Sequence, residues 1–151
     1  MTSTYTVTID PTRQLGKPPK SKINVIHNNL NIVTGLTINE MLTYTTSPYS
    51  YTISPAIFYG SRENNNWLSQ HSFWLDFDSG ITPEIAKEKL KHYGIEPNII
   101  YYTFSHTVDS PRFRLIILLN QPITNSTIAK SIRENLIECL GADRACKYSA
   151  R

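Results

Sequence analysis

Cysteine is nearly absent from this chain. Cys139 and Cys146 are the two among 151 residues, too few for a disulfide framework and unable to make a zinc site on their own. Glycine is scarce as well, with six residues, and no apolar run approaches the ~18 residues that a bilayer span requires. No charged-then-apolar stretch at the N-terminus reads as a signal peptide, so the expected compartment is the cytoplasm, with no membrane contact. Charge of either sign is modest: 15 Lys and Arg stand against 12 Asp and Glu, a formal net charge of +3. That balance is compatible with a polyanionic partner but too weak to establish one. What is present is 40% hydrophobic and 11% aromatic, which excludes a disordered, collagen-like or coiled-coil chain. The length predicts one domain over 1–151, large enough to bury a core without metal or disulfide help. Plentiful Asn, Ile, Thr and Tyr beside little Gly and Ala fit an AT-rich coding sequence.

Along the chain, Tyr5, Val7 and Ile9 alternate with threonines and predict a short edge strand. Asp10 to Lys22 carries three prolines and four basic residues (Arg13, Lys17, Lys20, Lys22) and reads as a solvated loop. Thr37 with Glu40 is a capping-box pattern opening a short helix through Leu42, and Thr43 to Ser54 is expected to be irregular. Ile57 to Tyr59 predicts a short strand and Phe73 to Phe77 a strand core. Thr82-Pro83-Glu84 is a strong helix start, with Ile85, Ala86, Leu90 and Tyr93 as the apolar stripe and Gly94 as the stop. Ile99 to Phe104 and Arg112 to Leu119 predict two strands joined as an antiparallel hairpin. Asn125 or Thr124 caps a last helix striped by Ile128, Ile132, Leu136 and Leu140 and ended by Gly141. The order β-α-β-β-α predicts an α+β domain, a mainly antiparallel sheet with helices on one face and the other face open for a site.

Four features carry chemistry. In Trp74-Leu75-Asp76-Phe77-Asp78-Ser79-Gly80, strand alternation puts Asp76 and Asp78 on one face and Phe73, Leu75 and Phe77 on the other. Two carboxylates held ~7 Å apart repel unless a cation sits between them, and oxygen-only ligation suits Mg²⁺ or Mn²⁺. Asp-x-Asp is common, however, and two solvated acids at a strand end are the simpler account of it taken alone. Ser105 and His106 end the next strand, where a histidine can bind phosphate or move a proton near neutral pH. Arg112 and Arg114 share a strand face opposite Phe113, Leu115 and Ile117, and forked guanidiniums suit phosphate oxygens. The plain alternative is a pair of exposed charges protecting an edge strand. Asp143 follows the last helix, where the dipole disfavours an acid, so it is either solvated or held by a cation.

In this order, the motifs "WLDFDSG", "YYTFSHT", "PRFRLIILL" and "ADRACKYSAR" resemble the catalytic domain of the archaeo-eukaryotic primase superfamily. The likeness is strongest to primase-polymerase domains at the N-terminus of replication proteins from plasmids, phages and integrated mobile elements. It runs from about Ser54 to Arg151; residues 1–53 are unassigned, and the core is expected to be cut short at its C-terminus. The resemblance implies an RRM-like fold that adds nucleotides to a 3′-hydroxyl on a single-stranded DNA template. It implies two divalent ions, Mg²⁺ or Mn²⁺, on Asp76, Asp78 and Asp143. Ser105 and His106 would hold the phosphates of nucleoside triphosphates, with Arg112 and Arg114 as further phosphate contacts and a helicase as a companion domain or subunit. Phe104 departs from the small residue the family often has two positions before the histidine. Two other readings stay open. One is a non-catalytic module stacking single-stranded bases on Tyr44, Tyr49, Tyr51, Trp74, Tyr101, Tyr102 and Phe104; the other is a metal-dependent nuclease. A rolling-circle nickase is disfavoured, since no His-hydrophobic-His pair is present. On the primase reading, Asp76→Ala and Asp78→Ala each abolish Mn²⁺-dependent incorporation while the fold survives.

Overall fold

A computed structural model describes residues 3–15, 18–46 and 50–142. In chain order the elements are β1 (Tyr5–Gln14), α1 (Ile23–Asn28), β2 (Asn31–Leu36), α2 (Ile38–Thr46), β3 (Ser50–Ser54) and β4 (Ala56–Phe58). Then follow β5 (Trp67–Phe77), α3 (Pro83–His92), β6 (Ile99–Tyr102), β7 (Phe113–Ile123) and α4 (Ser126–Leu140). The fold is α+β, with two antiparallel sheets ordered β2-β1-β3 and β4-β5-β7-β6.

The larger sheet obeys the alternation read from its sequence. Phe73, Leu75 and Phe77 of β5, with Phe113, Leu115 and Ile117 of β7, meet Ala86 and Leu90 of α3 and Ile137 and Leu140 of α4 in one core. Phe77 and Phe113 face each other across the register, ring centroids 4.5 Å apart and nearly parallel. The helix ends are where local chemistry puts them. Thr82 accepts from the Ile85 N–H ahead of Pro83, Asn125 accepts from the Thr127 and Ile128 N–H groups, and Gly141 closes α4 at φ 73°. Of the expected stripes, Ala86, Leu90 and Leu140 are buried and Ile132 and Leu136 pack against the same core, while Ile85, Tyr93 and Ile128 are exposed and Pro83, Ala129 and Ile137 are buried in addition. Each helix lies on a twisted sheet, which selects the buried arc by packing and not by hydropathy alone.

The N-terminal third departs most from expectation. β1 is the central strand of its sheet, not an edge, and it continues through Asp10, which is 1% exposed, to Gln14, where a solvated loop was expected. β3 occupies the end of the stretch expected to be irregular, and α1 and β2 arise in a segment that carried no prediction. The Thr37 capping box forms as read: the Thr37 N–H and hydroxyl donate to Glu40 Oε2 at 2.8 Å, and the Glu40 N–H donates to the Thr37 hydroxyl at 3.3 Å. Between β3 and β4 stands Pro55, which has no N–H for a ladder. There the chain leaves β1 and pairs with β5 instead. Tyr5, Val7 and Ile9 of β1, Leu36 of β2 and Met41 of α2 then close over Trp74, Ile99 and Ile116. The sheet face opposite α3 and α4 is therefore covered along much of its length and open at one end, where β5 finishes and β7 begins.

Two outcomes test this packing. Phe77→Ala should cost about 3–5 kcal/mol in urea denaturation, whereas Phe104→Ala, at a residue 60% exposed, should stay within about 0.5 kcal/mol. The hydrogen bonds from the Thr37 backbone first, and its hydroxyl second, hold the Glu40 carboxyl below its usual value. Their stabilising effect is present above the unfolded carboxylate pKa and fades as pH falls through the folded one. The Tm gap between wild type and Glu40→Gln at about pH 7 should accordingly close below about pH 4.

Candidate active site

The open end of the larger sheet is built from two rungs of its ladder. Asp76 of β5 stands opposite Arg114 of β7, and Arg114 stands opposite Tyr101 of β6. The rung before it, Trp74–Ile116–Ile99, is buried. Asp76 thus lies at the boundary where the covering β1 and α2 give way to solvent. Arg114 grips the Asp76 carboxylate with both arms of its fork: Nη2 donates to Oδ2 at 3.0 Å and Nε donates to Oδ1. Its Nη1 donates to the Tyr101 hydroxyl at 3.2 Å, and its guanidinium sits 5.8 Å from the centre of the Trp74 ring. Burial works against the Arg114 charge, but Tyr101 and Asp76 outweigh it and hold the guanidinium above its ordinary pKa. Burial likewise raises the Tyr101 phenol, with Arg114 pulling the other way.

One step further out, Arg112 Nη1 lies 4.0 Å from Asp78 Oδ1, with both side chains about half exposed. Two carboxylates and two guanidiniums so form a quartet with no net formal charge. The cation demanded by the repulsion between Asp76 and Asp78 is supplied by arginine. The arginines that the sequence offered as phosphate contacts are engaged with acids. Asp76 is gripped by the Arg114 fork, and Asp78 is the more loosely held of the two acids. Hard oxygen donors at the end of β5 are of the type that fits a divalent ion, with Asp78 the more exposed of the two carboxylates. Among the described residues no group of three or more His, Cys, Asp or Glu comes together. Asp143 lies outside the described residues.

His106 sits beside the quartet on the turn that joins β6 to β7. Its N–H donates to the Thr103 carbonyl at 3.0 Å, and its ring Nδ1 accepts from the Arg112 backbone N–H at 3.3 Å. The ring lies on Tyr102, centroids 3.9 Å apart and planes 25° from parallel. With Nδ1 accepting, the neutral ring carries its proton on Nε2. Ser105 is exposed on the same turn. Asp76, Asp78, Arg112, Arg114 and His106 are thereby brought to one end of the sheet. Tyr101 and Tyr102 enter as their supports, a role that hairpin register could have signalled, since Tyr101 pairs with Arg114.

The array of stacking aromatics is mostly spent elsewhere. Trp74 is 4% exposed, Tyr101 is half-buried against Arg114, and Tyr44 meets Tyr51 edge-on at 5.2 Å. Tyr49 lies outside the described residues. Tyr102 and Phe104 are the exposed members of the set.

No family model matches this chain, and no curated protein is similar to it. Among solved structures it is similar to the AEP domain of the cyanophage S-2L primase-polymerase, with a TM-score of 0.44 and 13% identity. The likeness covers 94% of this chain and 66% of that one, just under two thirds of its length. A likeness of that size assigns no role to any residue. Among the described residues no helix is long and apolar enough to cross a membrane.

The two acids should separate in stability measurements. Asp76→Ala leaves Arg114 without its bidentate partner in a half-buried place and should cost about 1–3 kcal/mol by chemical denaturation. Asp78→Ala should stay within about 0.5 kcal/mol. Equal effects would show that Asp76 is not tied into the fold.

Proposed function

We propose that this chain is a primase-polymerase-type nucleotidyltransferase core, joining nucleoside triphosphates to a 3′-hydroxyl on a single-stranded DNA template. The observation that carries the reading is the pairing of Asp76 and Asp78 with Arg114 and Arg112 beside a His106 whose Nε2–H is left to donate. Carboxylates, guanidiniums and an imidazole donor converge at the accessible end of a sheet, which is what a phosphate-bearing substrate and a hard cation both require. The resemblance of the motifs from Trp74 to Arg114 supports the same reading.

Asp78 and Asp76, completed by Asp143, would hold Mg²⁺ or Mn²⁺. When bound, the ions would lower the pKa of the attacking hydroxyl and neutralise the leaving pyrophosphate. His106, with Ser105 beside it, donates from Nε2 to a phosphate oxygen. Arg112, the looser of the two arginines, turns from Asp78 to the triphosphate as charge shifts towards the leaving group. Arg114 stays on Asp76 and fixes that carboxylate for its task. The setting is replication of plasmid, phage or other mobile DNA in the cytoplasm, with a helicase as companion.

Primer extension with Mn²⁺, deoxynucleoside triphosphates and a labelled primer-template tests this. Wild type should elongate, EDTA should stop it, and Asp78→Ala should fall to background. His106→Ala should raise the apparent KM for nucleotide about 10–100-fold, the worth of one charge-assisted hydrogen bond. Shortening of the label in place of elongation would assign a nuclease. DNA binding that ignores EDTA, with no synthesis, would assign a binding module.

A further inference from the structure

His106 is held at three points, and two of them come from backbone. The turn from Thr103 to Ser110 folds the backbone N–H of His106 onto the Thr103 carbonyl, and the Arg112 amide donates to Nδ1. Thr103 and Arg112 are themselves tied, the Thr103 N–H donating to the Arg112 carbonyl at 3.0 Å. The amide bond selects Nδ1 over Cδ2 but is a single point of contact, about which the ring can still tilt. The plane is set by Tyr102, whose ring covers one face of the imidazole at 3.9 Å. Tyr102 is itself 54% exposed and lies outside the two buried clusters, with its ring stacked on His106.

We infer that Tyr102 is a positioning residue for His106. Its ring holds the imidazole plane so that Nδ1 stays on the Arg112 amide and Nε2–H points to the accessible side. The inference rests on the reading of His106 as a phosphate donor only for its consequence, not for the geometry. Without the tyrosine face, the ring flips between the amide-bound and turned-out positions, and the Nε2–H donor is presented for a fraction of the time. The Arg112 side chain is not part of the device, since its amide makes the bond and its guanidinium faces Asp78.

Long-range proton–nitrogen NMR of the histidine ring in the full chain, at about pH 8 where histidine is ordinarily neutral, reads the tautomer directly. Wild type, Tyr102→Phe and Arg112→Gln should each show His106 as a single Nε2–H tautomer. Tyr102→Ala should show an exchange-averaged mixture, and Tyr102→Leu, which keeps apolar bulk without a flat face, should show the same if the alanine variant folds poorly. An unchanged tautomer in both the Ala and Leu variants overturns the inference. Binding of inorganic tripolyphosphate, followed by the same resonances, separates it from the functional reading. Tyr102→Ala should weaken binding about tenfold, with Tyr102→Phe close to wild type. A shifted tautomer with undiminished tripolyphosphate binding would support the positioning role and overturn the phosphate role of His106.

Discussion

The bidentate bond between Arg114 and Asp76 is the interaction on which the site depends. It spans neighbouring strands at one rung of the ladder, and a third strand joins it through the Tyr101 hydroxyl. Behind it lies an apolar rung and ahead of it lies solvent, so the pair marks where the covered part of the sheet stops. Taking an acid and a base partly out of water is tolerable only when each satisfies the other, and the fork geometry of arginine does this with two parallel bonds. The charge left over for a ligand is therefore carried by the outer pair, Asp78 and Arg112, which touch weakly and can be drawn apart.

This division of labour shapes the chemistry. A carboxylate already gripped by arginine is a rigid, pre-neutralised donor, while a half-exposed neighbour is free to meet a cation. The turn beyond β6 adds an imidazole whose orientation is dictated by a backbone amide and an aromatic face. Rigid and adaptable groups thus stand side by side on one sheet end, which is what the proposed function would draw on.

The second sheet matters to the site by exclusion. Pro55 ends one pairing and begins another, and β1 with α2 then lies over Trp74, Ile99 and Ile116. Of the aromatic residues that read as a stacking surface, Trp74 becomes core and Tyr101 binds Arg114, while Tyr102 and Phe104 stay exposed. The sheet end that escapes this cover carries Asp76 of β5 and Arg114 of β7.

Alternation along β5 and β7 told which side chains enter the core and which share the opposite face, because the pleat repeats every two residues whatever surrounds it. Thr37, Thr82, Asn125 and Gly141 likewise marked helix ends through bonds made within a few residues. The sequence by itself therefore determined the larger sheet's faces, its hairpin and the gathering of Asp76, Asp78, Arg112, Arg114 and His106 near one end. Tertiary structure alone decided that Arg114 belongs to Asp76, that β1 is a central strand, and that the face opposite the helices is mostly closed. Those outcomes depend on partners distant in the chain, Asp76 with Arg114 or Val7 with Trp74. No local propensity encodes which of several compatible strands or charges will be the neighbour.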